Sequence, residues 1–305
     1  MPGRIARGAR AARRPALRAL ALGAALAGVI AAPVAPPGGD TSQAVARERV
    51  IRIAPDLRVF PRLHYGYSPR TVVDVYSPGN ARRARALPGV LVVHGGGWRA
   101  GDKRRMAWTS RRLADAGFVA FNVNYTHARL GRPGFPRQLT ELRTAVAWIR
   151  RHAHRLGVDP TRIGAIGSSA GGHLVGLLAT DAHGPLTAGA RVAAVVTWSA
   201  PFDLTRVEHG GLVSAVRTFV GCVLCPQVSM AASPPTHVTG DDPPMLIVNS
   251  EHELVPLAHA ELMAARLASA GIPHTLRVLP GSGHGRDYAW AVLGPSIGFL
   301  YRTLR

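Results

Sequence analysis

Ser169 has the sequence context of a catalytic nucleophile, as the central residue of Gly167-Ser168-Ser169-Ala170-Gly171. The pattern Gly-x-Ser-x-Gly is typical of a serine held on a strained turn between a strand and a helix, with its hydroxyl exposed. The first turn of such a helix offers unpaired N–H groups and a positive dipole end, so we expect the Ala170 amide to face an oxyanion beside Ser169. A chain with 34 glycines in 305 residues can also produce the pattern by chance in a turn, so its surroundings decide the interpretation.

A glycine-rich loop, His94-Gly95-Gly96-Gly97-Trp98, follows the continuous apolar run 89–93, which predicts a strand buried on both faces. Three consecutive glycines let a backbone approach a ligand closely and turn its N–H groups toward it. We expect Gly96 and Gly97 to donate to an oxyanion and His94 to support the loop. The alternative is an ordinary flexible turn after a strand.

Strand-like and helix-like patterns alternate along the rest of the chain. The sequence predicts strands at 50–54, 71–76, 89–93, 118–123, 192–198, 244–249 and 274–279, with one more just before Ser169. It predicts helices at 106–116, 137–156, 174–179, 257–270 and 288–304. This order predicts an α/β fold, a doubly wound and mostly parallel sheet with helices on both faces. Both periods fade between 199 and 243, which predicts a small cap-like insertion before the penultimate strand.

Composition indicates a globular chain rather than a nucleic-acid binder. A length of 305 residues with 47% hydrophobic content suffices for one sizeable α/β domain or two small ones. The formal charge of +20 comes almost wholly from arginine, because Lys103 is the only lysine. The basic residues are scattered, and aromatic residues make up only 6% of the chain. We therefore expect no nucleic-acid partner.

The N-terminal residues resemble an export signal. Residues 1–35 combine an arginine-rich start, an apolar stretch at 19–32 and small residues suited to cleavage. Residues 36–48 are rich in proline and glycine and predict a linker. We expect a secreted or cell-envelope protein; an uncleaved signal is the competing interpretation and would be its one contact with a membrane.

Two cysteines, Cys222 and Cys225, are the only ones in the chain. In an exported protein such a close pair predicts a local disulfide. A redox pair would be expected at the start of a helix after a strand, and a zinc site would need further ligands at suitable spacing. We predict no metal site.

The chain from about residue 71 to its end resembles an α/β-hydrolase of the HGGG-bearing esterase and lipase group, similar to carboxylesterases and hormone-sensitive lipase. The glycine-rich loop and the Ser169 pattern occur in the right order, with His94 and Ser169 75 positions apart. Further matching stretches are 74–76, 101–103, 135–136, 157–160, 199–204 and 255–256. The resemblance implies one hydrolase domain at 49–305, with the insertion at 199–243. It also implies a reaction that needs no cofactor.

The resemblance also implies a catalytic histidine after the last strand, and His284 fits. It lies in Gly281-Ser282-Gly283-His284-Gly285, among small residues that leave its ring accessible. A neutral imidazole can take the proton of Ser169 and return it to the leaving group. A surface histidine in a glycine-rich turn is the alternative, and His152 and His154 are interpreted as solvated helix positions.

The acidic member of the proposed triad lies in a stretch that departs from the family pattern. In the family it is often the aspartate of Asn-Ser-x-Asp-Glu-Leu-Val-Pro, whereas here residues 249–256 read Asn-Ser-Glu-His-Glu-Leu-Val-Pro. His252 occupies the aspartate position and cannot accept as a carboxylate does. We expect Glu253, one residue later and one methylene longer, to replace it, with Glu251 and Asp203 as alternatives.

The sequence therefore predicts an exported serine hydrolase that cleaves carboxylic esters, either small molecules or esters linked to a polysaccharide. Peptide or amide hydrolysis by the same groups is one alternative. A catalytically silent relative that only binds ligands is another, because a fold can persist without its chemistry. The sequence does not predict the oligomeric state.

Overall fold

The computed structural model describes residues 51–54, 57–79, 86–207, 210–222 and 225–304. They belong to a compact unit, Gln43–Arg305. The predicted signal peptide at 1–35 and linker at 36–48 lie outside the described residues. Within the described part, no helix has the length and apolar character needed to cross a membrane.

One sheet of nine strands, counted over the described residues, organises the fold. The strands are β1 (Ile51–Ala54), β2 (Leu57–His64), β3 (Val72–Pro78), β4 (Leu87–Val93), β5 (Val119–Val123), β6 (Val158–Ser168), β7 (Ala194–Trp198), β8 (Met245–Ser250) and β9 (His274–Leu279). Their order in space is β1-β2-β3-β5-β4-β6-β7-β8-β9. Strands β1, β2 and β3 pair antiparallel, as do β3 and β5, and the pairs from β5 to β9 are parallel. The predicted mostly parallel sheet is confirmed.

Helices cover both faces of this sheet. They are α1 (Ala107–Asp115), α2 (Arg137–Leu156), α3 (Ala170–Asp181), α4 (Gly210–Val220), α5 (Pro226–Ala231), α6 (Leu257–Ser269) and α7 (Ala289–Thr303). One hydrophobic core joins the sheet to α2, α3, α4 and α6, and a second joins it to α1 and α7. The central strand β4 shows why both cores form, because Val90 to Val93 are fully buried from both sides.

Strand β2 is absent from the sequence prediction. Pro61 lies in its middle, and its pairing with β3 shifts register between Phe60 and Leu63. Arg62 in this bulge has φ 58°. A proline and a bulge break the two-residue alternation by which a strand is recognised in sequence.

The region 199–243 contains more regular structure than expected. The prediction that helical periodicity is lost there is wrong for α4, whose residues Leu212, Ala215 and Phe219 are buried at helical spacing. The helix is short and begins with two glycines, which weakens its pattern. Cys222 and Cys225 form a disulfide just after it.

A buried ion pair fixes the segment between β4 and α1. Lys103 Nζ lies 2.5 Å from Asp74 Oδ2, and both side chains are about one-tenth exposed. The Arg62 amide donates to the other oxygen of Asp74 at 2.7 Å. Asn124 Oδ1 accepts from the Lys103 amide at 2.6 Å, and Asn122 Nδ2 donates to its carbonyl at 2.8 Å. Because a buried charge is costly unless it is paired, this pair holds residues 101–106 beside β3 and β5.

Candidate active site

Ser169 lies on the sharp turn between β6 and α3, with φ 56° and ψ −124°. A positive φ is uncommon for a residue other than glycine and stores strain at this position. A Cβ on Gly167 would lie 2.2 Å from the Gly171 carbonyl oxygen, and a Cβ on Gly171 would lie 2.3 Å from that of Val93. The turn is therefore so tight, and so close to the end of β4, that both flanking positions require glycine.

His284 contacts both of the groups expected for it. Its Nε2 lies 2.9 Å from Ser169 Oγ, and its Nδ1 is hydrogen-bonded to Glu253 Oε2. Because Nδ1 faces a carboxylate, it carries the proton, which leaves the Nε2 lone pair directed at the hydroxyl. The side chain of His284 is 26% exposed, so the site opens to solvent, whereas that of Glu253 is fully buried.

The structure brings only one of the three candidate carboxylates to His284. Glu253 Oε1 accepts from the Ser250 amide at 3.0 Å and from Ser199 Oγ at 2.7 Å, which fixes the carboxylate. Glu251 is exposed. Asp203 accepts instead from the amide and hydroxyl of Thr205, at 2.9 and 2.6 Å. His252, at the position of the family's aspartate, is also exposed.

Ser199 and Tyr288 complete this network, and neither was predicted as a site residue. Ser199 Oγ accepts from the Gly285 amide at 2.7 Å and lies 2.7 Å from Tyr288 Oη, which also contacts the Val248 carbonyl oxygen at 3.2 Å. Burial raises the pKa of Tyr288, so its hydroxyl stays protonated. Since Ser199 donates its one proton to Glu253, the single proton of Tyr288 is shared between Ser199 Oγ and the Val248 carbonyl oxygen. One signal in the sequence was the position of Ser199 directly after a buried strand.

The glycine-rich loop after β4 lies against the turn that carries Ser169. A Cβ on Gly95 would lie 2.7 Å from the Ser168 carbonyl oxygen and 3.0 Å from Ser169 Cβ. Gly96 and Gly97 follow with φ 132° and 55°. Over the described residues, the amides of Gly96, Gly97 and Ala170 donate to no backbone acceptor outside regular elements. They are therefore candidate donors for a ligand oxygen beside Ser169.

His94 lies beneath this loop. Its ring is fully buried and stacks on Tyr125 with ring centroids 4.4 Å apart. Its Nδ1 lies 2.8 Å from the Gly95 carbonyl oxygen, and Tyr125 Oη donates to the His94 carbonyl at 3.0 Å. Burial lowers the pKa of His94 to about 4. At neutral pH the ring is thus uncharged and packed beneath the loop.

A second buried histidine joins the loop to α3. Trp98 Nε1 donates to His173 Nδ1 at 3.2 Å, and His173 Nε2 lies 2.8 Å from the Ala232 carbonyl oxygen. Phe219 of α4 stacks on Trp98 with centroids 4.7 Å apart. Burial lowers the pKa of His173 to about 4. Helix α4 of the 199–243 segment therefore contacts the glycine-rich loop through the rings of Phe219 and Trp98.

Across the described part of the chain, no three or more His, Cys, Asp or Glu side chains are grouped so that they could hold a metal ion.

The profile of the BD-FAE family matches residues 73–267, which is more than half of the chain. The matched range includes the glycine-rich loop, Ser169 and Glu253, and it ends before His284.

Several relatives resemble the chain along most of its length. LipM of Mycobacterium tuberculosis, a probable carboxylic ester hydrolase, is 28% identical over 270 residues, covering 83% of this chain and 62% of LipM. Esterase LipQ of the same organism is 29% identical over 282 residues, covering 84% of this chain and 66% of LipQ. The chain thus spans a little under two thirds of the length of these relatives.

Solved structures share the fold. A truncated carbohydrate esterase from gut microbiota has a TM-score of 0.71 at 21% identity, covering 84% of this chain and 99% of that one. The propionate-bound esterase Est2 of Thermogutta terrifontis has a TM-score of 0.66 at 24% identity, covering 81% and 94%. At these identities the likeness supports the α/β-hydrolase fold alone.

Proposed function

The chain belongs to the BD-FAE family, and we propose that it is a serine hydrolase of carboxylic esters. The observation that carries this proposal is the continuous contact from Ser169 through His284 to Glu253. The names of the curated relatives support the same reaction, since they are a carboxylic ester hydrolase and an esterase.

In the proposed reaction, Ser169 Oγ attacks the ester carbonyl while His284 Nε2 takes the hydroxyl proton. Glu253 holds the ring in the required tautomer and stabilises the imidazolium that forms. The amides of Gly96, Gly97 and Ala170 would stabilise the tetrahedral oxyanion, and loss of one such donor typically costs about 3 kcal/mol. His284 then protonates the departing alcohol and activates the water that releases the acid from Ser169.

For the substrate, we propose a small-molecule ester or an ester linked to a polysaccharide. The partial exposure of the His284 side chain supports a site that either kind of ester can reach.

We also propose that the protein is exported. The pattern of residues 1–35 supports this, as does the Cys222–Cys225 disulfide, because such bonds persist mainly in oxidising compartments. Retention of the whole chain inside an expressing cell, with residues 1–35 uncleaved, would contradict it.

A panel of 4-nitrophenyl esters of rising acyl length tests the proposed reaction. We expect Ser169→Ala to reduce kcat by about 10⁴-fold or more and Glu253→Gln by about 10³- to 10⁴-fold, as for other triads. The neighbouring Ser168→Ala and the exposed Glu251→Gln serve as matched controls and should retain most activity.

A wild-type protein that is folded but inert toward every ester would contradict the proposal and favour the silent relative. Full turnover by Glu253→Gln with loss in Glu251→Gln or Asp203→Asn would overturn the acid assignment. Matching 4-nitroanilides distinguish ester from amide hydrolysis.

A further inference from the structure

An arginine-lined cleft lies beside the proposed active site. It is a shallow depression of about 550 Å³ that is largely open to solvent, and we call it the arginine cleft. Its lining residues are Gly101, Asp102, Arg104, Arg105 and Arg286. No role in the proposed ester hydrolysis falls to any of them.

Contacts place the arginine cleft next to the catalytic loops. A Cβ on Gly101 would lie 2.2 Å from the Gly95 carbonyl oxygen and 2.6 Å from His94 Nδ1, so one wall packs against the glycine-rich loop. Arg286 is the second residue after His284, and its Nη1 donates to the Arg105 carbonyl at 3.0 Å. A group bound in the cleft would therefore lie close to the base of the glycine-rich loop and to the loop that carries His284.

The charge of the arginine cleft is unbalanced. Asp102 is the one carboxylate among the described lining residues, and it pairs with Arg104, whose Nε lies 2.9 Å from Asp102 Oδ1. Within the described part of the chain, neither Arg105 nor Arg286 forms an ion pair with a carboxylate. Two positive charges thus remain available to a ligand.

The basic residues just before α1 do not stabilise that helix. Lys103, Arg104 and Arg105 form the 3-10 turn that leads into α1, and the first turn of α1 has no acidic residue. Cations near a helix N-terminus oppose its dipole, whereas an anion there is stabilised. Lys103 is neutralised by Asp74. The two unpaired arginines therefore create a local potential that suits an anion.

We propose that the arginine cleft binds a carboxylate carried by the ester substrate, so that the enzyme prefers acidic esters. This inference rests on the proposed function. A guanidinium presents parallel N–H donors that match a carboxylate in a bidentate fashion, and Arg286 uses only one of its donors for Arg105. The carboxylate could belong to the acyl part of the ester, as in a dicarboxylic acid, or to its alcohol part, as in an acidic sugar.

Two matched pairs of esters distinguish these two sources. For the acyl part, 4-nitrophenyl hydrogen adipate is compared with 4-nitrophenyl methyl adipate. For the alcohol part, 4-acetoxybenzoate is compared with methyl 4-acetoxybenzoate. We expect kcat/KM to be higher for the acidic ester of one pair by about fivefold or more. A bidentate hydrogen bond between an arginine and a carboxylate is stronger than an ordinary exposed ion pair. That preference should fall as ionic strength rises, because exposed charges are screened.

The double variant Arg105→Gln/Arg286→Gln should abolish the preference while its rate on the neutral esters stays within about twofold of wild type. Arg302→Gln is the matched control, because Arg302 is also exposed but lies at the opposite end of α7. An equal loss of activity on both members of a pair would mean that the two arginines act on the His284 loop and not on the carboxylate, and it would overturn the proposal.

Calorimetry with 4-acetamidobenzoate and its methyl ester tests binding without turnover. Wild type can fail to hydrolyse any ester and still bind the acid more tightly than its methyl ester. If the double variant loses this difference, the result supports carboxylate binding in the arginine cleft. Hydrolysis of neutral esters without any preference for acidic ones, and equal binding of the two acetamides, overturns the inference and leaves the proposed function intact. A preference that persists in the double variant also overturns it.

Discussion

Glu253 is held by a network that extends beyond the proposed triad. Its two oxygens accept from His284, Ser199 and the Ser250 amide, so a fully buried carboxylate is well supplied with donors. Buried polar groups that are fully hydrogen-bonded have fixed orientations. Ser199 also accepts from the Gly285 amide, next to His284. One hydroxyl therefore contacts both Glu253 and the loop that carries His284.

We predict that Ser199 acts as a positioning residue. Ser199→Ala should lower kcat by about 10- to 100-fold with little change in KM, the size of loss typical when a hydrogen-bond partner that orients a functional side chain is removed. Ser199→Gly is the informative comparison, because Ser199 has φ 53° and glycine relieves that strain while also lacking the hydroxyl. Equal losses in the two variants, measured by steady-state kinetics, indicate the hydroxyl. Wild-type kcat in the glycine variant would show that the hydroxyl is not required and would contradict the prediction.

The contrast between Ser169 and Ser199 shows which site residues a sequence reveals. Ser169 lies in a local pattern with a steric reason for each glycine, so its position could be predicted. Ser199 acts through partners 54 and 86 positions away, and no local pattern marks such contacts. Likewise, only the fold distinguishes the buried Glu253 from the exposed Glu251 two positions earlier.

At the scale of elements, the site depends on how closely two strand ends approach each other. The loop after β4 and the start of α3 leave no room for a Cβ at Gly171. Elements with a complete pattern were predictable: α2 covers 137–156 as expected and ends at Gly157, which has φ 69°. Strand β2 and helix α4 were not predictable, because a bulge, a proline and glycines remove their periodicity.

Gly171→Ala should destabilise the protein by about 3 kcal/mol, because the new methyl group meets backbone oxygens that cannot rotate away. Gly211→Ala is the matched control, since Gly211 lies in α4 with no atom within 4 Å of an added Cβ. That variant should be as stable as wild type or up to about 1 kcal/mol more stable. Urea unfolding measures both, and equal stability of the two variants would contradict the close approach.

At the scale of the whole molecule, two buried histidines link the stability of the fold to pH. Burial lowers the pKa of both His94 and His173 to about 4. The unfolded chain takes up these protons near pH 6.5, whereas the folded protein resists them. The stabilising contribution of each neutral ring is therefore complete above about pH 6.5 and is lost as the pH falls toward 4.

We predict that His173→Gln weakens this acid sensitivity. Glutamine does not titrate, and it can still donate to the Ala232 carbonyl and accept from Trp98. In wild type, His173 alone should account for a loss of about 2 kcal/mol between pH 6.5 and 4.5. Urea midpoints across this range measure the effect, with the exposed His154→Gln as control. If the urea midpoint of His173→Gln falls with pH as steeply as that of wild type, His173 is not a source of the acid sensitivity.

The buried pair between Lys103 and Asp74 has a practical consequence. Lys103 is the chain's only lysine, and folding hides its ammonium group. Amine-directed labels and lysine-specific endoproteases therefore meet a single internal target that becomes reachable only when this region opens. The molecule thus carries a one-site chemical reporter of its own unfolding, with no engineered tag required.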